Sequence, residues 1–166
     1  GVAFSPEDGD NAESLISNAG SATHFAKEHR RGAYSFFTEA MNKEVARYVS
    51  LESKLQTALS KDELFVVYQP KISGSSGKIV GFEALLRWEN ESLGFVSPDE
   101  FIHIAEDNGE INSIGLFVIQ QAILFLEKLN HRFQTHFNIA VNISPVQLRQ
   151  NDFFDQVNTL VHKSTI

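Results

Sequence analysis

The stretch Gly81-Phe82-Glu83-Ala84-Leu85-Leu86-Arg87-Trp88, read together with Asn138-Ile139-Ala140-Val141-Asn142-Ile143-Ser144, decides the fold of this chain. Both are short apolar runs bounded by turn-forming residues, so both read as strands. Side chains alternate along a strand. In the first run Glu83, Leu85 and Arg87 share one face, while Phe82, Ala84, Leu86 and Trp88 take the other. In the second, Ile139, Val141 and Ile143 form an apolar face and Ala140, Asn142 and Ser144 the opposite one. Strands that are apolar under covering helices and small or polar inward suit a β/α barrel, whose site gathers inside one rim. Glu83 and Asn142 then converge as oxygen ligands for a hard divalent cation such as Mg²⁺. Arg87, on the same face, is placed to hold a phosphate, and Gln69 of the neighbouring strand to hydrogen-bond a base or ribose. Spacing alone leaves a plainer alternative open, in which Glu83 is simply solvated and Asn142 serves a turn.

Working outward, Phe65–Gln69 reads as a strand closed by Pro70, and Ser73–Gly77 as the turn of a hairpin with Ile79–Trp88. Asn90–Gly94 reads as a loop. Ser97-Pro98-Asp99-Glu100 reads as a helix start with a capping box, and that helix stops at Gly109. A longer apolar-faced helix follows over about Ile111–Leu129, and another begins at Asp152. Upstream, Asn11 caps a helix that ends in the basic run Lys27–Arg31, and Tyr34, Phe36 and Phe37 read as a short strand. From Lys43 a helical stripe of Val45, Tyr48, Val49, Leu51, Leu55, Ala58 and Leu59 ends at Lys61-Asp62 and connects two domains. The order of strand, strand, helices, strand and helix is an α/β pattern.

Composition excludes several classes. The 166 residues are 42% hydrophobic and 21% charged, which is globular rather than disordered. A net charge of -7 argues against non-specific binding of duplex DNA, which needs a basic face. The absence of cysteine excludes a disulfide or a thiolate-held metal and fits a reducing cytoplasm. Ile114–Leu126 is too short an apolar run to span a bilayer, so the chain reads as soluble, with any membrane anchor or sensor outside it. The histidines show no metal-ligand spacing. Glu106, Asp107 and Glu110 cluster at a helix terminus, where charge is ordinary. Lys27, Arg30 and Arg31 lie at a helix C-terminus, where cations oppose the dipole.

Tyr68-Gln69-Pro70 and Gly81–Trp88 together resemble the opening of EAL domains, including the letters that name the family. The resemblance continues through Ser97-Pro98-Asp99-Glu100-Phe101-Ile102, Ala105-Glu106-Asp107-Asn108-Gly109 and Val141-Asn142-Ile143-Ser144-Pro145 with Gln147-Leu148, spanning about residues 46–166. It implies a TIM-like (β/α) barrel that hydrolyses cyclic di-GMP to linear pGpG with Mg²⁺ or Mn²⁺. Carried over by position, Glu83 and Asn142 are metal ligands, and Gln69, Leu86 and Arg87 contact the dinucleotide. Such a barrel needs ~250 residues, so residues 62–166 represent its N-terminal half. The family's later acidic ligands and candidate base fall beyond Ile166.

Residues 1–42 resemble the C-terminal end of a GGDEF domain, the last strand-helix-strand of an α+β, cyclase-like fold, with residues 43–61 as the connecting helix. Pro6–Asp10, Asn18-Ala19, Ala26-Lys27 and Phe36-Phe37 carry that resemblance. Gly20, His24 and Arg30 depart from it, standing where the family has Asp, Tyr and Gly. Lys27 and Arg31 fall where it places cations for the GTP triphosphate. The expected parent is therefore a cytoplasmic cyclic di-GMP phosphodiesterase. A catalytically silent receptor or protein-interaction module is the alternative, and the drifted GGDEF tail weakens a reading in which synthesis dominates. The segment alone is expected to be inactive and, as an open half-barrel with a bare sheet edge, to self-associate.

Overall fold

The computed structural model describes residues 1–29 and 32–164, and the chain separates into two compact units, Gly1–Ser53 and Lys54–Ile166. Helix α1 spans Ala12–His29 in the first unit, and helix α2, Glu39–Ala58, begins there, before the connecting helix expected from Lys43, and ends in the second. Asn11 caps α1 as expected, its Oδ1 accepting from Ser14 N at 2.9 Å. Ser21 Oγ donates to Asn42 Oδ1 at 2.6 Å, and Asn42 Nδ2 donates to Asn18 Oδ1 at 3.0 Å. These polar links join α1 to the start of α2. The expected short strand at Tyr34–Phe37 is reduced to one parallel bridge, Val2 with Phe36. Its aromatic residues pack on one another instead, Phe36 against Phe4 and Tyr34.

The second unit is a mixed sheet under helices. Its strands are β1 (Leu64–Ile72), β2 (Ile79–Asn90), β3 (Gly94–Val96) and β4 (Asn138–Val141). β2 is central, pairing antiparallel with β1 and β3 and parallel with β4. Pro70 does not close β1, which runs on to Ile72. β1 has β2 as its only partner among the described residues, and proline, lacking an N–H, is tolerated on such an edge. The expected loop at Asn90–Gly94 is tighter than read, because β2 extends to Asn90 and turns directly into β3.

The crossover from β2 to β4 carries α3 (Pro98–Asn108) and α4 (Ile111–Phe133). Gly109 ends α3 with φ 85°, a left-handed conformation that glycine adopts without a Cβ penalty. The expected capping box at Ser97 is not completed, since the Ser97 side chain makes no cap hydrogen bond. It appears instead at Ser144–Gln147, opening the short helix α5 (Pro145–Leu148), which precedes α6 (Phe153–His162).

By length and composition α4 is apolar enough to cross a membrane. Its apolar stripe is nevertheless the core of this unit. Val118 and Ala122 pack with Ala84 under Val66, Tyr68, Leu86 and Ile139, while Ile119 and Ile123 pack with Phe153 of α6. Tyr68 stacks on Phe125 and donates its hydroxyl to the Gln121 carbonyl at 3.0 Å. Trp88 and Phe101 meet edge to face, both fully buried, and burying side chains of this size contributes about 2–3 kcal/mol each. The helices thus cover one face of the sheet. Phe65 and Val67, on the opposite face, remain exposed.

Candidate functional site

The uncovered face of the sheet presents the residues singled out by strand alternation. Gln69 is the register partner of Glu83, Val67 of Leu85 and Phe65 of Arg87. β4 lies beside them with Ala140 paired to Glu83. Asn142 stands two residues further along that strand direction, just past its end. Strand β4 is shorter than expected, stopping at Val141, so Asn142 to Ser144 belong to the turn leading into α5. The turn still returns Asn142 to the sheet. Its Nδ2 donates to Glu83 Oε1 at 3.0 Å, joining residues far apart in sequence. The other carboxylate oxygen, Glu83 Oε2, lies 3.9 Å from Lys71 Nζ.

This pair fits half of a divalent-cation site. Glu83 offers a half-buried carboxylate beside the exposed amide of Asn142, and carboxylate and amide oxygens are the donors that Mg²⁺ and Mn²⁺ prefer. The amide now presents its N–H to Glu83. Rotating it by half a turn presents Oδ1 in the same place, at the cost of one hydrogen bond of about 1 kcal/mol. Among the described residues no group of three or more His, Cys, Asp or Glu is placed to hold a metal. Any further ligands must therefore come from other residue types or from elsewhere.

Arg87 lies on the Glu83 face, half-buried, with Nη1 donating to the Leu86 carbonyl at 2.7 Å. That bond folds the guanidinium back along its own strand, and its remaining donors can meet an anion. Leu86 does not join the group in the same way. It packs toward the α4 cluster with Ala84, whereas Leu85 occupies the Glu83–Arg87 face. Leu86 reaches the site only from the side, lining a cavity of about 390 Å³ together with Arg87, Glu106, Asn142, Ser144 and Gln147. Lys27 is exposed near the end of α1, and Arg31 lies outside the described residues.

Sequence reasoning passed over Lys71, although alternation from Gln69 places it on the same face. It also passed over Leu85 as a candidate contact. Glu106 had been set aside with its acidic neighbours, yet its Oε1 accepts a 2.6 Å hydrogen bond from Ser144 Oγ. At the far end of β2, Glu63 Oε2 accepts from Trp88 Nε1 at 3.1 Å and from Asn90 Nδ2 at 2.9 Å. Burial pushes the Glu63 carboxyl upward, but these bonds, with Lys61 and Lys54 nearby, outweigh it and hold the group below its ordinary value. Burial raises the Tyr68 phenol.

Comparison with known proteins finds relatives over nearly the whole chain. The bifunctional diguanylate cyclase/cyclic di-GMP phosphodiesterase MucR of Pseudomonas aeruginosa is 35% identical over 99% of this chain. The cyclic di-GMP phosphodiesterase PdeR of Escherichia coli is 35% identical over 98% of it. The chain spans only 24% of the length of each of these relatives. The structure of the PaMucR phosphodiesterase in complex with c-di-GMP superposes with a TM-score of 0.66 at 33% identity, covering 69% of this chain and 46% of that one. The EAL domain family model matches residues 52–166, taking in the whole of the Glu83–Asn142 site. On that match, the chain belongs to the EAL domain family.

Proposed function

We propose that this segment is the N-terminal part of a TIM-like EAL barrel in a cytoplasmic protein that hydrolyses cyclic di-GMP to pGpG. The single observation that carries the reading is the 3.0 Å contact between Asn142 and Glu83 on the open face of the sheet. Glu83 from β2 and Asn142 from the turn after β4 would hold the cation. Arg87 binds a phosphate of the dinucleotide, Gln69 hydrogen-bonds a base or ribose, and Leu85 or Leu86 supplies the apolar contact. A bound Mg²⁺ or Mn²⁺ supplies a nucleophilic water at neutral pH and offsets charge on the phosphodiester. The remaining ligands and the general base belong to parts of the protein outside this segment.

The N-terminal unit is assigned in the same proposal to the end of a GGDEF domain, with Lys27 and Arg31 as its remnant phosphate contacts. Support comes from the match to MucR, whose name joins a diguanylate cyclase to a phosphodiesterase and which aligns over 99% of the chain.

The test is calorimetric titration of cyclic di-GMP, with Ca²⁺ present to block turnover, into the whole protein and its Arg87→Ala variant. The expected result is binding by the first and a loss of at least about tenfold in the second, the worth of a charge-assisted phosphate contact. Binding that survives Arg87→Ala refutes the placement. Binding by the whole protein without hydrolysis in Mg²⁺ or Mn²⁺ identifies a silent receptor instead.

A further inference from the structure

Two side chains outside the reacting face fix the turn that carries Asn142. Glu106 sits at the end of α3 beside the exposed Asp107, yet it is itself half-buried. Ser144 Oγ donates its only proton to Glu106 Oε1 at 2.6 Å, and the same oxygen accepts from Val146 N at 3.0 Å. Because a hydroxyl carries one proton, the bond to Glu106 sets which lone pair faces Val146. From the other side, Gln147 Oε1 accepts from Ser144 N at 3.0 Å. Gln147 is 1% exposed, and its amide rests against Gly115 of α4, where a Cβ would overlap it. Ile143 meanwhile packs into the Ile119–Phe153 cluster. The turn is therefore held from α3, from α4 and from its own cap, with only the Asn142 side chain directed to Glu83.

We propose that Glu106 and Gln147 are positioning residues for the cation-binding group Asn142, acting through Ser144. The inference rests on the reading that Asn142 takes a cation, and it adds residues that act on Asn142 through Ser144. A short hydrogen bond to a carboxylate is roughly twice as strong as one between neutral groups. Partners that orient metal ligands typically change metal affinity by about 10–100-fold when removed.

The experiment is an electron paramagnetic resonance titration of Mn²⁺ into the whole protein, comparing wild type with Glu106→Ala, Glu106→Gln and Ser144→Ala. The same proteins are titrated with cyclic di-GMP in EDTA as a readout that does not need the cation. The expected result is Mn²⁺ binding about tenfold weaker in Glu106→Ala and Ser144→Ala. Glu106→Gln, which keeps an acceptor oxygen, recovers most of it, and all variants bind the dinucleotide in EDTA like wild type. Unchanged Mn²⁺ affinity in both Glu106→Ala and Ser144→Ala overturns the proposal. So does a parallel loss of dinucleotide binding, which would mark a general structural role. Where Glu106→Ala does not fold, Glu106→Gln and Ser144→Ala decide. If wild type itself takes no Mn²⁺, the cation reading fails and this inference fails with it. A failure confined to the variants sinks only the inference.

Discussion

Replacing Gly115 by alanine sets two opposed effects against each other, and the structure says which prevails. In the interior of a helix such as α4, glycine to alanine ordinarily stabilises by about 1 kcal/mol, because glycine loses more backbone freedom on folding. At Gly115 the new Cβ would overlap Gln147 Nε2 and lie only 2.6 Å from Gln147 Cδ. The amide has nowhere to go, since Gln147 is 1% exposed. Forcing extra volume into such a place costs about 1–3 kcal/mol. Losing the Gln147 bond to Ser144 N adds about 1 kcal/mol. A cost of about 3 kcal/mol against a gain of about 1 leaves Gly115→Ala destabilising by about 2 kcal/mol. Urea unfolding of the complete EAL domain measures this, with Gln147→Ala and the double variant closing a cycle. The double variant is expected to lose less than the sum of the singles by at least about 1 kcal/mol, because truncating Gln147 removes the overlap. A Gly115→Ala domain as stable as wild type would refute the packing argument outright.

Two further outcomes follow from other parts of the fold. Glu63→Ala leaves the buried Trp88 indole and Asn90 amide without an acceptor, so it should cost about 2–4 kcal/mol in the same unfolding assay. The Glu63 carboxyl is held below its ordinary value, so its stabilising contribution is present above the unfolded-state carboxylate pKa. That contribution disappears as pH falls through the lower folded value, and a Glu63→Gln domain should show a correspondingly flatter acid limb. Separately, β1 has no second strand partner among the described residues, and Phe65 and Val67 are exposed on the face that carries Gln69. The isolated 166-residue chain should therefore self-associate, and light scattering that shows a monomer at high concentration would disprove it.

How much of this could be read from the residues depends on how local the cause is. The hairpin, the α3 stop at Gly109 and the Glu83–Leu85–Arg87 face follow from short-range turn chemistry and a period of two, and all are found in place. Pro70 misled because its meaning depends on whether the strand is an edge, a property of the sheet and not of the strand. The capping box moved from Ser97 to Ser144 for a related reason. Both sequences carry the pattern, but only the second is pinned from outside, by Glu106. Leu86, assigned by family position, packs toward α4 and also lines the cavity shared with Arg87 and Asn142. Glu106 could not be distinguished from Asp107 and Glu110, since what separates them is the proximity of Ser144, brought in by the β2–β4 crossover.

The register of β2 against β4 is the feature on which the site depends and the one least visible in the residues. A slip by one position would turn Asn142 to the helix-covered face and leave Glu83 without its partner, because side chains alternate with a period of two. The pairing of Glu83 with Ala140 is set by contacts remote in sequence. Ile139 and Val141 enter the α4 clusters beside Ala84 and Phe153, so a slip would also expose them to the uncovered face. Gly81 adds a local restraint at the start of the pairing. A Cβ there would lie 2.8 Å from the Asn138 carbonyl oxygen, a backbone atom that cannot swing aside. The glycine lets β4 approach at the point where pairing begins, and the half-buried Ile139 and Val141 then hold it there. The pairing of Asn142 with Glu83 is therefore secured by apolar packing on the opposite side of the sheet.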